Sequence, residues 1–293
     1  VIDLGIITPV VTLIPGAHAR WERTGTIQDV VRIARAADEL GYDHLTCSEH
    51  VAVPVDVAET RGGRYWDPVA TLGYLAAVTE RVRLASSVVV LGYHHPLVVV
   101  KQYATLDQVS GGRVVLGVGV GSLAEEFDLL GVPFADRGDR ADDALRGIRA
   151  SFAAERPAYS GNYHEWSGVV VEPCALQEHV PIWVGGRSAR SLRRAVELGD
   201  GWAPFGLAPS EIGSLVVAAR STAAWEARDA PLDLVLQSRR AFDPAGDPDA
   251  TRIEVDALVD AGATGLALRL VHHSPEHYIE QMAAMVDLVA SIT

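Results

Sequence analysis

Four stretches of this sequence hold groups whose types and spacing suit chemistry. The first is Glu49-His50. Histidine titrates near neutral pH, so an imidazole beside a carboxylate can move a proton; the same couple also serves as a hydrogen-bonded structural pair. The second is Ser86-Ser87, inside a β-branched run that leads to Tyr93-His94-His95. In the third, Gly117, Gly119 and Gly121 run into Ser122, Glu125 and Glu126. These last three suit either a reactive site or the start of a helix, where carboxylates are favoured by the dipole. The fourth is Gly185-Gly186-Arg187-Ser188, just ahead of a helical stretch. Two glycines there expose backbone N–H groups to the positive end of the helix dipole, which favours an anion such as phosphate. Arg187 or Arg190 would strengthen such a site, and the plain alternative is a glycine turn carrying an exposed arginine.

Two other chemistries fit poorly. A metal centre would have to draw on His50, His94, His95, His272 or His273. Adjacent histidines on a strand point to opposite faces and rarely chelate together, and no His-x-His closes the first strand, so no metal site is expected. The glycines at 117, 119 and 121 invite a dinucleotide-fold reading. That motif needs a third glycine opening a helix, an acidic residue about 20 positions on, and a place near the start of the fold. Here the loop is mid-chain and Ser122-Leu123-Ala124 follows, which suits a tight strand-to-loop turn better.

The elements that must carry these groups alternate regularly. Residues 82–90 read as a strand buried on both faces, residues 95–110 as a helix stopped by Gly111-Gly112, and residues 113–118 as a second buried strand. Strand, helix and parallel strand make a right-handed βαβ unit. The same alternation gives strands at residues 3–8, 42–48, 181–184, 200–203, 232–238 and 264–270, with helices at 26–40, from 67, 140–155, from 188 to 199, 210–228, 248–261 and 275–292. Residues 51–66 read as a long irregular loop, the expected lid, and residues 159–173 as an inserted hairpin. Eight strands each followed by a helix predict an α/β protein, one (β/α)8 barrel over residues 1–293 with loop insertions at the C-terminal face, where barrels of this kind place their sites.

Composition bounds the function. Hydrophobic content of 48% and charged content of 22% are those of a soluble globular protein, and no apolar run approaches the roughly 18 residues of a membrane span. The opening VIDLGIITPV reads as a first strand and not a secretory signal, so a cytoplasmic location is expected. Cys47 and Cys174 are too few for a disulfide framework and suit small buried hydrophobes in a reducing compartment. With 25 basic and 38 acidic residues, a net charge of −13 argues against nucleic acid as a partner. It also argues against a strongly anionic substrate, Lys101 being the one lysine, unless local arginines such as Arg61 and Arg64 form its site.

Taken in order, the segments GYDHLTCSEH, RVRLASSVVVLGYHHP, DQVSGGRVVLGVGVG and PIWVGGRSARSLRRAVELGDGW resemble the bacterial luciferase-like superfamily, on its branch of deazaflavin-dependent oxidoreductases. The likeness covers nearly the whole chain and implies the same barrel. It implies that Glu49-His50 matches an Asp-His pair after strand two, whose histidine lies beside the reactive ring, with glutamate here in place of aspartate. Ser87-Val88 then matches a bulge in strand three, often with a non-prolyl cis peptide, against the back of that ring. Gly185-Gly186 matches the loop that binds the cofactor phosphate. One departure stands out. The family's sugar-phosphate dehydrogenases carry a catalytic glutamate where this chain has Ser122, and an asparagine where it has Glu125, so the sugar-phosphate activity is not carried over.

The expectation is an oxidoreductase that moves a hydride between coenzyme F420 and a small organic substrate. His50 and Glu49 are the expected catalytic residues, and Ser86, Ser87, Val88, Gly119, Gly121, Ser122, Gly185, Gly186 and Arg187 the expected cofactor-binding ones. The alternative is an FMN-dependent luciferase-like monooxygenase using reduced flavin and oxygen. A non-catalytic ligand-binding barrel, motivated by Ser122, is the third reading, and the resemblance implies a homodimer.

Overall fold

Two alternating faces on each strand, one turned into a tightly packed ring and one toward the helices, set this architecture. In the computed structural model, which describes residues 2–291, eight parallel strands close on themselves. They are β1 (Asp3–Ile7), β2 (His44–Cys47), β3 (Arg83–Ser86), β4 (Val114–Gly119), β5 (Ile182–Gly185), β6 (Gly201–Ala203), β7 (Asp233–Leu236) and β8 (Gly265–Leu268). Each pairs with the next, β8 returns to β1, and β4 pairs with β5 to complete the ring. The inner wall is packed by Ala85, Val115, Trp183 and Val235. Space there is tight, since a Cβ on Gly5 would fall 2.1 Å from the His44 ring. The alternate positions, among them Ile6, Leu45, Leu84, Leu116, Ile182, Leu236 and Leu268, face the helices and form the main core.

Around the ring stand α1 (Ile27–Glu39), α2 (Pro68–Ala76), α3 (Pro96–Ser110), α4 (Arg137–Ser151), α5 (Ala189–Leu198), α6 (Pro209–Arg220), α7 (Pro248–Asp260) and α8 (Pro275–Ala290). Their starts are written locally. Asp67 accepts the Ala70 N–H at 2.7 Å ahead of Pro68, and Asp247 does the same for Ala250 ahead of Pro248. Among the described residues, no helix is long and apolar enough to cross a membrane.

Four expectations need correction. Residues 82–90 are not one strand: β3 stops at Ser86, a cis peptide joins Ser87 to Val88, and Val89–Val90 resumes against β4. Ala85 pairs with Val115 but Val89 with Val118, so β3 carries one residue more than its neighbour, a bulge at the barrel mouth. Residues 51–66 are not irregular, for they contain a helix, Val55–Arg61, and a short strand, Arg64–Tyr65, paired antiparallel with Thr12–Leu13. The helix expected over 210–228 is broken at Ser221-Thr222, where Thr222 caps the separate turn Ala223–Glu226. A further helix, Ala124–Leu130, follows the glycine loop, and α4 starts at Arg137 and not 140.

Candidate active site

The C-terminal ends of β2, β3 and β4 bring together groups far apart in sequence. His50 follows β2 directly, and its Nδ1 lies 2.6 Å from Oε2 of Glu126 on the helix Ala124–Leu130. The other oxygen of Glu126 accepts the N–H groups of Val51 at 2.6 Å and Ala52 at 3.1 Å. Tyr93 donates its hydroxyl to Oε2 at 2.6 Å. Glu126 is fully buried, so it grips both the ring of His50 and the main chain just after it. Burial would raise this carboxyl, but hydrogen bonds from Tyr93, His50 and the backbone outweigh it and hold Glu126 below its usual value. Burial, and then the hydrogen bond to Glu126, push the Tyr93 phenol upward, so it remains a donor. Tyr65 packs edge-on against the His50 ring at 4.5 Å between centroids.

A carboxylate only accepts, so Nδ1 of His50 carries the proton in this contact and Nε2 is the free nitrogen of the neutral ring. Among the described residues Nε2 has no hydrogen-bond partner, and the side chain is 17% exposed. The arrangement is that of an oriented proton acceptor and donor at the barrel mouth.

Glu49 points elsewhere. Its Oε2 accepts the Val90 N–H at 2.7 Å and its Oε1 meets Nε2 of His94 at 2.7 Å, all within the wall. It therefore does not touch His50 by any hydrogen bond among the described residues; it fastens the strand that resumes after the β3 bulge. Ser86 is likewise turned into the wall, where its hydroxyl donates to the Gly117 carbonyl at 2.8 Å. Ser87 is exposed, and its N–H is taken by the Cys47 carbonyl at 2.8 Å. Val88 fills the mouth between β4 and β5. A Cβ on Gly119 would lie 2.5 Å from it, and one on Gly185 2.8 Å, so both glycines make room for the bulge residue.

Beyond Gly185, the N–H groups of Gly186 and Arg187 have no acceptor among the described residues, and Ser188 caps α5 immediately after them. Unpaired amides at a helix start fit a phosphate. Arg187 lies over Phe205 at 5.9 Å. Ser122, expected beside the cofactor, has its hydroxyl bonded to Nη1 of Arg61 at 2.9 Å, and Gly121 supplies its carbonyl to Nε of Arg137 at 3.1 Å.

Sequence reasoning named Tyr93 without giving it a role, did not single out Tyr65, and treated Glu125 and Glu126 alike. A signal did exist for Glu126. It shares a helical stripe with Leu123, Phe127 and Leu130, whereas Glu125 faces solvent. At the opposite end of the barrel lies a cleft of about 940 Å³ lined by Arg149, Asp200 and Arg228. These three charges are already committed. Arg149 pairs with Asp200 at 2.5 Å, and Arg228 caps the α5 carbonyls of Val196 and Gly199 at 2.6 and 3.1 Å.

Against known proteins, the profile of the family described as luciferase-like monooxygenase matches residues 8–291. An F420-dependent glucose-6-phosphate dehydrogenase of Beutenbergia cavernae is 28% identical over 291 residues, which cover 89% of this chain and 84% of that one. Among solved structures, the monooxygenase RslO1 from Streptomyces bottropensis superposes with a TM-score of 0.81 at 22% identity, covering 99% of both chains. An F420-dependent secondary alcohol dehydrogenase, solved with an F420-acetone adduct, gives a TM-score of 0.77 at 16% identity, covering 100% of this chain and 99% of that one. These two structural likenesses concern the barrel.

Proposed function

The chain belongs to the luciferase-like monooxygenase family, and from that premise we propose that it is an oxidoreductase moving a hydride between coenzyme F420 and a small organic substrate. The observation that carries the reading is His50, held through Nδ1 by a buried carboxylate and presenting Nε2 at the mouth. The F420 dependence of the Beutenbergia relative and of the secondary alcohol dehydrogenase supports the choice of cofactor. The amides of Gly186 and Arg187 would hold its phosphate, and the Ser87-Val88 bulge would back its ring.

When bound, a deazaflavin gives or takes the hydride. The protein manages the matching proton. In the oxidative direction an alcohol proton passes to Nε2 of His50, and in the reductive direction Nε2–H returns it to the carbonyl oxygen. Glu126 keeps the ring in one orientation and stabilises its charged form. Tyr65 covers the ring on one side and limits its access to water.

The likeness to RslO1, a monooxygenase, favours a second reading in which the same loop holds FMN. A paired titration separates them, followed through the fluorescence of Trp66, which adjoins Tyr65. Saturation by F420 at micromolar concentration with FMN inert is the expected result. Preference for FMN together with substrate-dependent oxygen uptake would replace it with the monooxygenase reading.

A further inference from the structure

The segment after β2 ends in an arginine with unusual company. Arg61 closes the helix Val55–Arg61, and its guanidinium donates to the neutral hydroxyl of Ser122. No carboxylate lies within ion-pair reach of it among the described residues, in a chain whose acids outnumber its bases 38 to 25. Glu126 is close by but already accepts from His50, Val51, Ala52 and Tyr93.

The backbone that carries this side chain is fixed. Gly62 has φ +83, and a Cβ there would fall 1.9 Å from the Leu13 carbonyl oxygen, so only glycine fits the approach. Tyr65, edge-on against His50, donates its hydroxyl to the Arg61 carbonyl at 2.8 Å. Arg64–Tyr65 is locked by its pairing with Thr12–Leu13. The Ser122 hydroxyl accepts from Arg61, which leaves its own proton to donate. A guanidinium turned to Ser122 and a free O–H, next to the residue that packs edge-on against His50, make a seat for two oxygens of one negative charge.

We propose that Arg61 and Ser122 bind a carboxylate carried by the substrate, placing its reacting carbon toward His50. This rests on the oxidoreductase reading for the identity of the ligand as substrate. Arg64 takes no part, since its guanidinium is spent on the carbonyls of Glu22 and Arg23.

The test is calorimetric titration of the protein, alone and saturated with F420 or FMN, using benzoate against benzamide and levulinate against levulinamide. At least one acid should bind about ten-fold tighter than its amide. Arg61→Ala and Ser122→Glu should each bring that ratio to about one, and Arg61→Lys should keep part of it. Equal binding of acid and amide by the wild type, no binding of either acid, or a ratio unchanged in Arg61→Ala overturns the proposal. Weaker cofactor binding in Arg61→Ala with an unchanged ratio would move the seat to the cofactor and also overturn it. Failure of the protein to bind F420 or FMN would count against the oxidoreductase reading and leave the acid-to-amide ratio intact.

Discussion

Two histidine–carboxylate pairs sit side by side at the barrel mouth, and their chemistry is the same on paper. His50 meets Glu126 at 2.6 Å, His94 meets Glu49 at 2.7 Å, and both carboxylates are buried. The difference lies in the other donors. Glu126 has three besides its histidine, namely Tyr93 and the N–H groups of Val51 and Ala52. Among the described residues Glu49 has one, the Val90 N–H. A buried carboxylate with several donors is held in its charged form by more than its histidine. Glu49 leans on His94 for its balance. The hydrogen bond to Glu49 raises His94 against the opposing effect of burial. Which carboxylate is oversupplied thus decides which histidine can work.

The contrast breaks most sharply at His50. Replacement by alanine should lower kcat by about 100-fold or more while the cofactor Kd stays within about two-fold, since general acid–base groups contribute on that scale. Unchanged turnover in steady-state assays would remove His50 from the chemistry and make the two pairs equivalent. Next comes Glu126→Gln. The amide keeps an acceptor for the backbone but loses the charge that stabilises an imidazolium, and its NH2 opposes two of the present donors, His50 and Tyr93. A fall in kcat of about 10–100-fold with little change in cofactor affinity is expected. If only Tm fell, the role of Glu126 would be reduced to support.

Much of the frame was legible because it is written in short-range pattern. The runs around Leu84, Val115 and Ile182 give buried parallel strands, and Asp67-Pro68 and Gly111 mark helix ends without reference to anything distant. The helix Val55–Arg61 escaped because it buries no residue, and a helix without a buried face leaves no periodicity to read. The break at Ser87-Val88 lies inside an uninterrupted β-branched run, so only the family resemblance pointed to it. Site chemistry was harder still. Glu126 is 76 residues beyond His50, and their meeting depends on how far the helix after β4 reaches over β2, which no local rule encodes. Glu49 was the natural partner by adjacency, yet successive side chains at a strand end diverge, and that divergence separates the two.

The smallest expected effect tests the resting half of the comparison. Because the folded protein raises His94 above its ordinary value of 6.5, this residue stabilises the fold fully below about pH 6.5, and the contribution disappears as pH rises through the raised value. His94→Gln should therefore lower Tm by about 2–4 °C for each kcal/mol lost, measured by thermal scans near pH 5.5. The deficit should shrink at pH 9, where neutral histidine and glutamine donate alike. Turnover should stay within about two-fold of wild type, since His94 holds Glu49, which fastens the strand that resumes after the bulge. A Tm deficit that does not change with pH would mean the pair is held by packing and not by charge. A pH-dependent loss of kcat in this variant would mean that both histidines move protons, and that the number of donors on the carboxylate is not what distinguishes them.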